Sequence, residues 1–266
     1  MLITVFKGHY IYTVRKGDTL YSIAKKWNSS IQSIELANHL FEPVTDPGFI
    51  FPGNVLVIPS LSETKKITYI VKSGDTVSGI SSRFSTFPDL ISGINNLKTP
   101  NHILVNQLLI VPAFLYEIQS GDTLSSISRK FGITLSNITK TNQSRPGFQK
   151  DLIWPGFQLV IPLPTSRNAV VWTPFPGTNV SSNQKIEGQV RAFEANVLHQ
   201  LRDINGIIVS KENFTTADEG TPKYGNFTNT LLFDKIPISN TGELWVYTKS
   251  SKDGRIQDLL KIKIYF

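Results

Sequence analysis

One short string recurs three times along the chain and constrains its fold more than any other feature. Gly-Asp-Thr followed by an aliphatic residue occurs at Gly17-Asp18-Thr19-Leu20, Gly74-Asp75-Thr76-Val77 and Gly121-Asp122-Thr123-Leu124. Self-similarity at a period of roughly 20–50 residues means that each copy is one supersecondary unit. Upstream of each copy, and two residues before its glycine, lies a β-type run: Tyr12-Thr13-Val14, Tyr69-Ile70-Val71 and Tyr116-Glu117-Ile118. Each unit is therefore predicted to open with a strand. Downstream, Leu20, Ile23, Ala24 and Trp27 fall at i, i+3, i+4 and i+7, the spacing of an apolar stripe on a helix. Val77, Ile80 and Phe84, then Leu124, Ile127 and Phe131, repeat those offsets. The Asp or Thr of the string is placed to cap the helix start. A second helix is predicted over 30–38, 88–95 and 135–142, beginning after Ser/Thr-type residues and ending near Asn. Each unit closes with an aliphatic run ending in Pro59, Pro112 or Pro162, where proline is expected to halt the ladder.

This strand-helix-helix-strand order resembles the lysin motif (LysM). The residues that carry the resemblance are Tyr-x-Val/Ile, Gly-Asp-Thr-Leu, the Ile and Phe/Trp of the first helix, the Asn after the second, and the terminal Ile/Val-Pro. It covers residues 10 to 162, with repeats expected at 10–60, 67–113 and 114–163. Where the family usually has Gly-Gln before the last strand, this chain has Gly53-Asn54, Asn106-Gln107 and Gly156-Phe157-Gln158. The short connection between the second and third repeats predicts that those two pack together, and the three grooves need not face one ligand strand.

The resemblance implies binding of glycans containing N-acetylglucosamine, peptidoglycan or chitin, in a shallow groove between the loop after the first strand and the loop before the last. It places contacts at Gly17, Asp18, Thr19, Leu20, Pro47, Gly48, Phe49 and Ile50 in repeat one. In repeat two it places them at Gly74, Asp75, Thr76, Val77, Thr99, Pro100, Asn101 and Ile103. In repeat three they are Gly121, Asp122, Thr123, Leu124, Lys150, Asp151, Leu152 and Ile153. The chemistry suits these residue types, since an acetamido group offers one acceptor, one donor and a methyl. Glycine lets backbone approach a sugar closely, and the aliphatic residues can meet the methyl. A plainer account competes: capping alone explains Asp and Thr, Leu20 and its equivalents read as core, and Phe49 and Trp154 read as packing beside an aliphatic strand.

After Pro162 the helical periods give way to short β runs between turn signals, with a linker expected near 163–168. Strands are predicted over 169–173, 185–192, 197–202, 206–210, 225–232, 243–248 and 258–265, and about seven such strands point to a β-sandwich. Asn205-Gly206 and Asp253-Gly254 supply hairpin-type turns. Residues 169–266 resemble the immunoglobulin-like domain associated with bacterial spore germination, through Trp172-x-Pro-x-Pro-Gly177, Ile186-x-Gly-x-Val190, Phe193-Glu194-Ala195-x-Val197, Arg202-Asp203-x-x-Gly206, Gly225-x-Phe227 and Ser251-x-Asp-Gly254. That family has no settled activity, so the resemblance implies an interaction module for another wall or spore protein. Phe193-Glu194 reads as a strand pair with one side inward. The expected fold class is thus multidomain α+β and all-β: three βααβ modules and an Ig-like sandwich.

Composition excludes several function classes. The chain has 266 residues and no Cys, which removes thiol nucleophiles, disulfide scaffolds and thiolate zinc sites. Its net charge of +7 favours anionic partners, but no basic tail or stripe marks a nucleic-acid binder. No metal or cofactor is expected: His9, His39, His102 and His199 show no metal-ligand spacing. Glycosidase chemistry needs two carboxylates across a cleft, and the recognised modules occupy the whole chain, so no enzyme is expected; a wall hydrolase, or a targeting protein for one, is the rival. No apolar stretch approaches the ~20 residues of a membrane span, and 1–12 lacks a signal-peptide pattern. The expected location is cell wall or spore envelope, with synthesis in the mother cell an alternative to export.

Overall fold

The computed structural model describes residues 8–60, 66–99 and 102–266. They fall into two compact units, one from 8–60, 66–85, 102–127 and 134–162, the other from 86–99, 128–133 and 163–266. Residues 61–65, between the first two expected repeats, lie outside the described residues, as do Pro100 and Asn101.

All three repeats show the expected order. The first has β1 (Gly8–Thr13), α1 (Leu20–Lys26), α2 (Ile31–Asn38) and β2 (Val55–Ser60). The second has β3 (Ile67–Ile70), α3 (Val77–Arg83), α4 (Pro88–Ile94) and β4 (Leu108–Ile110), and the third β5 (Ala113–Glu117), α5 (Leu124–Phe131), α6 (Leu135–Thr141) and β6 (Gln158–Pro162). Threonine, not aspartate, caps the first helix of each repeat. Thr19 accepts from Ser22 N while Ser22 Oγ accepts from Thr19 N, a reciprocal capping box, and Thr123 with Ser126 repeats it. Thr76 accepts from Gly79 N. The second helices are capped by Ser30 and Thr134, the Ser/Thr-type residues expected before them, but Phe87, at the cap position of α4, makes no side-chain cap. Pro88 replaces the cap there: its fixed φ suits the first helical position, and it has no N–H to satisfy.

The first and last strands of each repeat pair antiparallel, and pairing also extends between repeats. β1 pairs antiparallel with β2 and parallel with β3, so repeats one and two share one sheet, ordered β2-β1-β3-β4. Pro59 lies inside β2, opposite His9, instead of ending it. It is tolerated because β2 is an edge strand. Repeats two and three also meet, as expected: Thr141 Oγ1 donates to Arg83 O at 3.0 Å, and Arg83 Nη2 donates to Gln143 O at 2.7 Å.

The outer edges of β2 and β6 are closed by side chains, which removes open ladder groups. Buried Asn38 donates to Val57 O at 2.7 Å and accepts from Val57 N at 2.8 Å. Buried Asn142 does the same for Val160, at 2.7 and 2.9 Å. Val55 N donates to Ser144 O at 2.8 Å. Arg145 joins the two edges: Nη1 donates to Asn142 Oδ1 and Gln158 O, and Nη2 to Ala37 O and Asn38 Oδ1. Its guanidinium also stacks 4.2 Å from the Phe157 ring centroid, and burial pulls its pKa down to about 9.

The second unit contains the sandwich. All seven expected strands are present: β7 (Ala169–Thr173), β8 (Gln184–Val190), β9 (Asn196–Asp203), β10 (Ile208–Thr216), β11 (Gly225–Leu231), β12 (Thr241–Lys249) and β13 (Ile256–Tyr265). They form a β10-β9-β12-β13 sheet and a β11-β8-β7 sheet over a core that includes Val171, Ile186, Leu201, Phe227, Leu244 and Ile262. Phe193–Ala195 is a short 3₁₀ turn, not part of a strand, with Glu194 at φ 56°.

Candidate functional site

The repeated string divides into three local roles. Gly17, Gly74 and Gly121 have φ of 87°, 82° and 85°, with open space where a Cβ would stand. Backbone conformation alone therefore accounts for glycine there. Asp18, Asp75 and Asp122 pin the preceding loop. Through Oδ2 each accepts from a tyrosine hydroxyl six residues upstream, Tyr12, Tyr69 and Tyr116, at 2.7, 2.9 and 2.6 Å. The same oxygens accept from Arg15 N, Lys72 N and Gln119 N at 2.7, 2.9 and 2.8 Å. Burial first, then the carboxylate bond, pushes the Tyr116 hydroxyl up to about 12, and Tyr12 and Tyr69 are raised for the same causes. Thr19, Thr76 and Thr123 are the helix caps. Capping thus explains Thr in every repeat, whereas Asp holds the turn before it.

The aliphatic positions separate. Leu20 and Val77 are buried, at 7% and 2% exposure. Leu20 packs with Tyr12, Ile23 and Ile34. Leu124 is also buried, yet it forms the floor of an open cavity of about 390 Å³ lined by Asp122, Thr123, Ser125, Leu135, Lys150, Asp151, Leu152 and Ile153. In repeat three the structure thus brings together seven of the eight expected residues, all but Gly121. It adds Ser125 and Leu135, which the string did not single out. Leu135 is the first residue of α6 and Ile31 the first of α2, and both are partly exposed. An apolar residue at a solvent-facing helix start was the available signal. Among the described residues, no hydrogen bond runs from the main chain of residues 150–153, so amide donors and acceptors there remain for a ligand.

In repeat one, Pro47, Gly48 and Phe49 are exposed and Ile50 is half-buried against the core. Phe49 and Phe51 are each 62% exposed, so the packing expectation for Phe49 fails, while Trp154 in repeat three is half-buried. Phe51 N donates to Asn54 Oδ1 at 2.8 Å, a tight turn that holds the two phenyl groups out of the core. In repeat two, Thr99 is exposed and Ile103 half-buried. No group of three or more His, Asp or Glu residues stands where it would hold a metal, among the described residues. Nor is any described helix long and apolar enough to cross a membrane.

The three repeats, each with a string that builds a turn and a helix cap, define a class of tandem βααβ modules, and in the third the string also lines an open cavity. Residues 12–59, 69–112 and 116–162 each match the LysM domain, and 168–255 match the immunoglobulin-like domain of bacterial spore germination; the chain belongs to the LysM-domain family. LysM repeats bind glycans that contain N-acetylglucosamine. The chain is 35% identical over 97 residues to the N-acetylmuramoyl-L-alanine amidase sle1 of Staphylococcus saprophyticus, covering 34% of this chain and 28% of that protein. It is 35% identical over 123 residues to the secreted LysM effector ECP6 of Passalora fulva, covering 38% and 52%. Among solved structures it is similar to the Bacillus cereus spore cortex-lytic enzyme SleL, at 31% identity over 39% of this chain and 22% of that one, with a TM-score of 0.29. The chain spans at most about half the length of these relatives.

Proposed function

We propose that the chain is a non-catalytic anchor: its repeats hold peptidoglycan, or the related polymer chitin, and its C-terminal domain holds another wall or spore protein. The open cavity at Leu124, Asp151 and Leu152 carries this reading. It offers an apolar floor for an acetamido methyl beside loop amides without internal partners, and no nucleophile or metal is needed for such a site to work. The four modules at 10–60, 67–113, 114–163 and 169–266 are assigned accordingly, and cell wall or spore envelope is the location the reading requires. Tethering three weak grooves to one polymer raises avidity by factors of up to about 10²–10⁴ where geometry allows.

The test is co-sedimentation of the purified chain with insoluble peptidoglycan and, separately, chitin, at ~0.5 M salt to screen non-specific charge contacts. The supernatant is assayed for muropeptides and reducing ends. Retention with a clean supernatant supports the anchor, and loss of retention on both polymers refutes glycan binding. Released fragments would establish the rival reading, a wall hydrolase.

A further inference from the structure

Parallel pairing of β1 with β3 places two copies of the same loop side by side. Ile11 lies opposite Tyr69, so the segments that follow, ending in Arg15 and Lys72, leave the sheet in the same direction. A cavity of about 460 Å³ opens there, lined by Arg15, Lys72 and Arg83 among neutral residues that include Ser73 and Ser144. Residues from all three repeats line it, and it is separate from the cavity at Leu124.

Its charge is unbalanced. Lys72 Nζ lies 3.0 Å from Asp75 Oδ1, but Arg15 and Arg83 pair with no carboxylate among the described residues. Arg83 donates through Nη2 to Thr141 O and Gln143 O, both neutral, and its buried Nε has no hydrogen-bond partner. Arg15 makes only a long contact, 3.4 Å, to Val71 O. The buried Arg145 is a further cation nearby, its charged form disfavoured first by burial and then by Arg83. Asp75 attracts the Arg83 charge without bonding to it, and a partly desolvated guanidinium bonded only to carbonyls keeps strong, directional donors for an oxyanion.

We propose that this cavity receives a carboxylate carried by the peptide stems of peptidoglycan, which would let the assembled repeats distinguish that polymer from uncharged chitin. The inference rests on the glycan-anchoring reading for its polymer, and on the three cations for its ligand. No single repeat holds the site, because its cationic lining combines Arg15 of the first with Lys72 and Arg83 of the second.

The experiment titrates the full chain, labelled for amide NMR, with five probes: a chitin oligosaccharide, a soluble disaccharide-tetrapeptide, the same disaccharide without peptide, the free tetrapeptide, and inorganic phosphate. Each is repeated with the double variant Arg15→Gln/Lys72→Gln. The disaccharide-tetrapeptide is expected to bind about tenfold more tightly than the same disaccharide without peptide, the worth of one charge-assisted contact. Amide shifts at Ser73 and Ser144 should report it, and the advantage should shrink as salt rises. The double variant is expected to lose that advantage and keep its affinity for the chitin oligosaccharide. An equal affinity with and without peptide, or an advantage that survives in the variant, overturns the proposal. Saturation by phosphate at concentrations where the tetrapeptide causes no shift at Ser73 overturns the carboxylate assignment in favour of a phosphate-bearing polymer. If the chitin oligosaccharide fails to bind while the free tetrapeptide still shifts Ser73, the anchoring reading fails and the carboxylate site stands.

Discussion

Replacing Asp122 separates a residue that holds the loop from one that touches sugar. Its Oδ2 accepts from Tyr116 Oη at 2.6 Å and from Gln119 N at 2.8 Å. Hydrogen bonds to a charged acceptor contribute about 1.5–3 kcal/mol each, and partial exposure of this carboxylate puts the pair near the low end, at about 3 kcal/mol together. Asp122→Ala should therefore destabilise the third repeat by about 3 kcal/mol, whereas Asp122→Asn keeps an oxygen at the same place and should cost about 1 kcal/mol. Hydrogen exchange at the β6 amides would read the difference, since each 1.4 kcal/mol speeds exchange from the opened state about tenfold. The same variants are then titrated with a chitin oligosaccharide while the amides of residues 150–153 are followed. With Asp122 as a scaffold, Asp122→Asn should bind within about threefold of the parent chain. A loss of tenfold or more in Asp122→Asn, at unchanged exchange protection, would show that the carboxylate contacts the glycan and would refute the scaffold assignment.

Three further outcomes follow from the same geometry. Arg145→Met leaves Ala37 O and Gln158 O without their donor; each buried orphan costs about 1–3 kcal/mol, so denaturant melts should show a loss of about 3 kcal/mol. His199 is fully buried, and burial lowers its pKa to about 4. The unfolded chain then binds the extra proton first, so stability present above about pH 6.5 should decline as pH falls toward 4, and His199→Gln should flatten that decline in melts followed between pH 7 and 4. Tyr116 is shifted the other way, up to about 12, so stability should be intact below about pH 10 and fall as pH rises toward 12, by less in Tyr116→Phe.

The parts of the fold legible in the sequence are those fixed by neighbours a few residues apart. Leu20, Ile23 and Ala24 are buried as their spacing predicts, and every expected sandwich strand is present because alternation and turn residues act within one hairpin. The association of repeats was less legible. Nothing in Tyr10-Ile11 distinguishes a strand that ends a sheet from one that accepts a parallel neighbour, and the β1–β3 pairing depends on residues more than fifty positions apart. The site was legible as a place more than as a set of contacts. Asp18, Thr19 and their equivalents were drawn to notice by repetition, and repetition proves to report turn and cap; Leu135, outside the string, lines the cavity.

The buried asparagines show why three copies of one scaffold need not present three equal grooves. Asn38 and Asn142 each satisfy the outward amide and carbonyl of a closing strand, at Val57 and Val160, so that edge is finished without help from the groove loops. Those loops are then free to vary: repeat one holds Phe49 and Phe51 out to solvent, and repeat three builds a floor from Leu124 and Leu152. An exposed aromatic ring suits stacking on a sugar face, while an aliphatic floor beside unpaired amides suits an acetamido group. On the anchoring proposal the two loops would meet different parts of one polymer, and removing each in turn should alter affinity for long oligosaccharides more than for short ones, which reach only one groove. Equal losses on short and long oligosaccharides from Phe49→Ala would place all binding in a single repeat and remove avidity from the account.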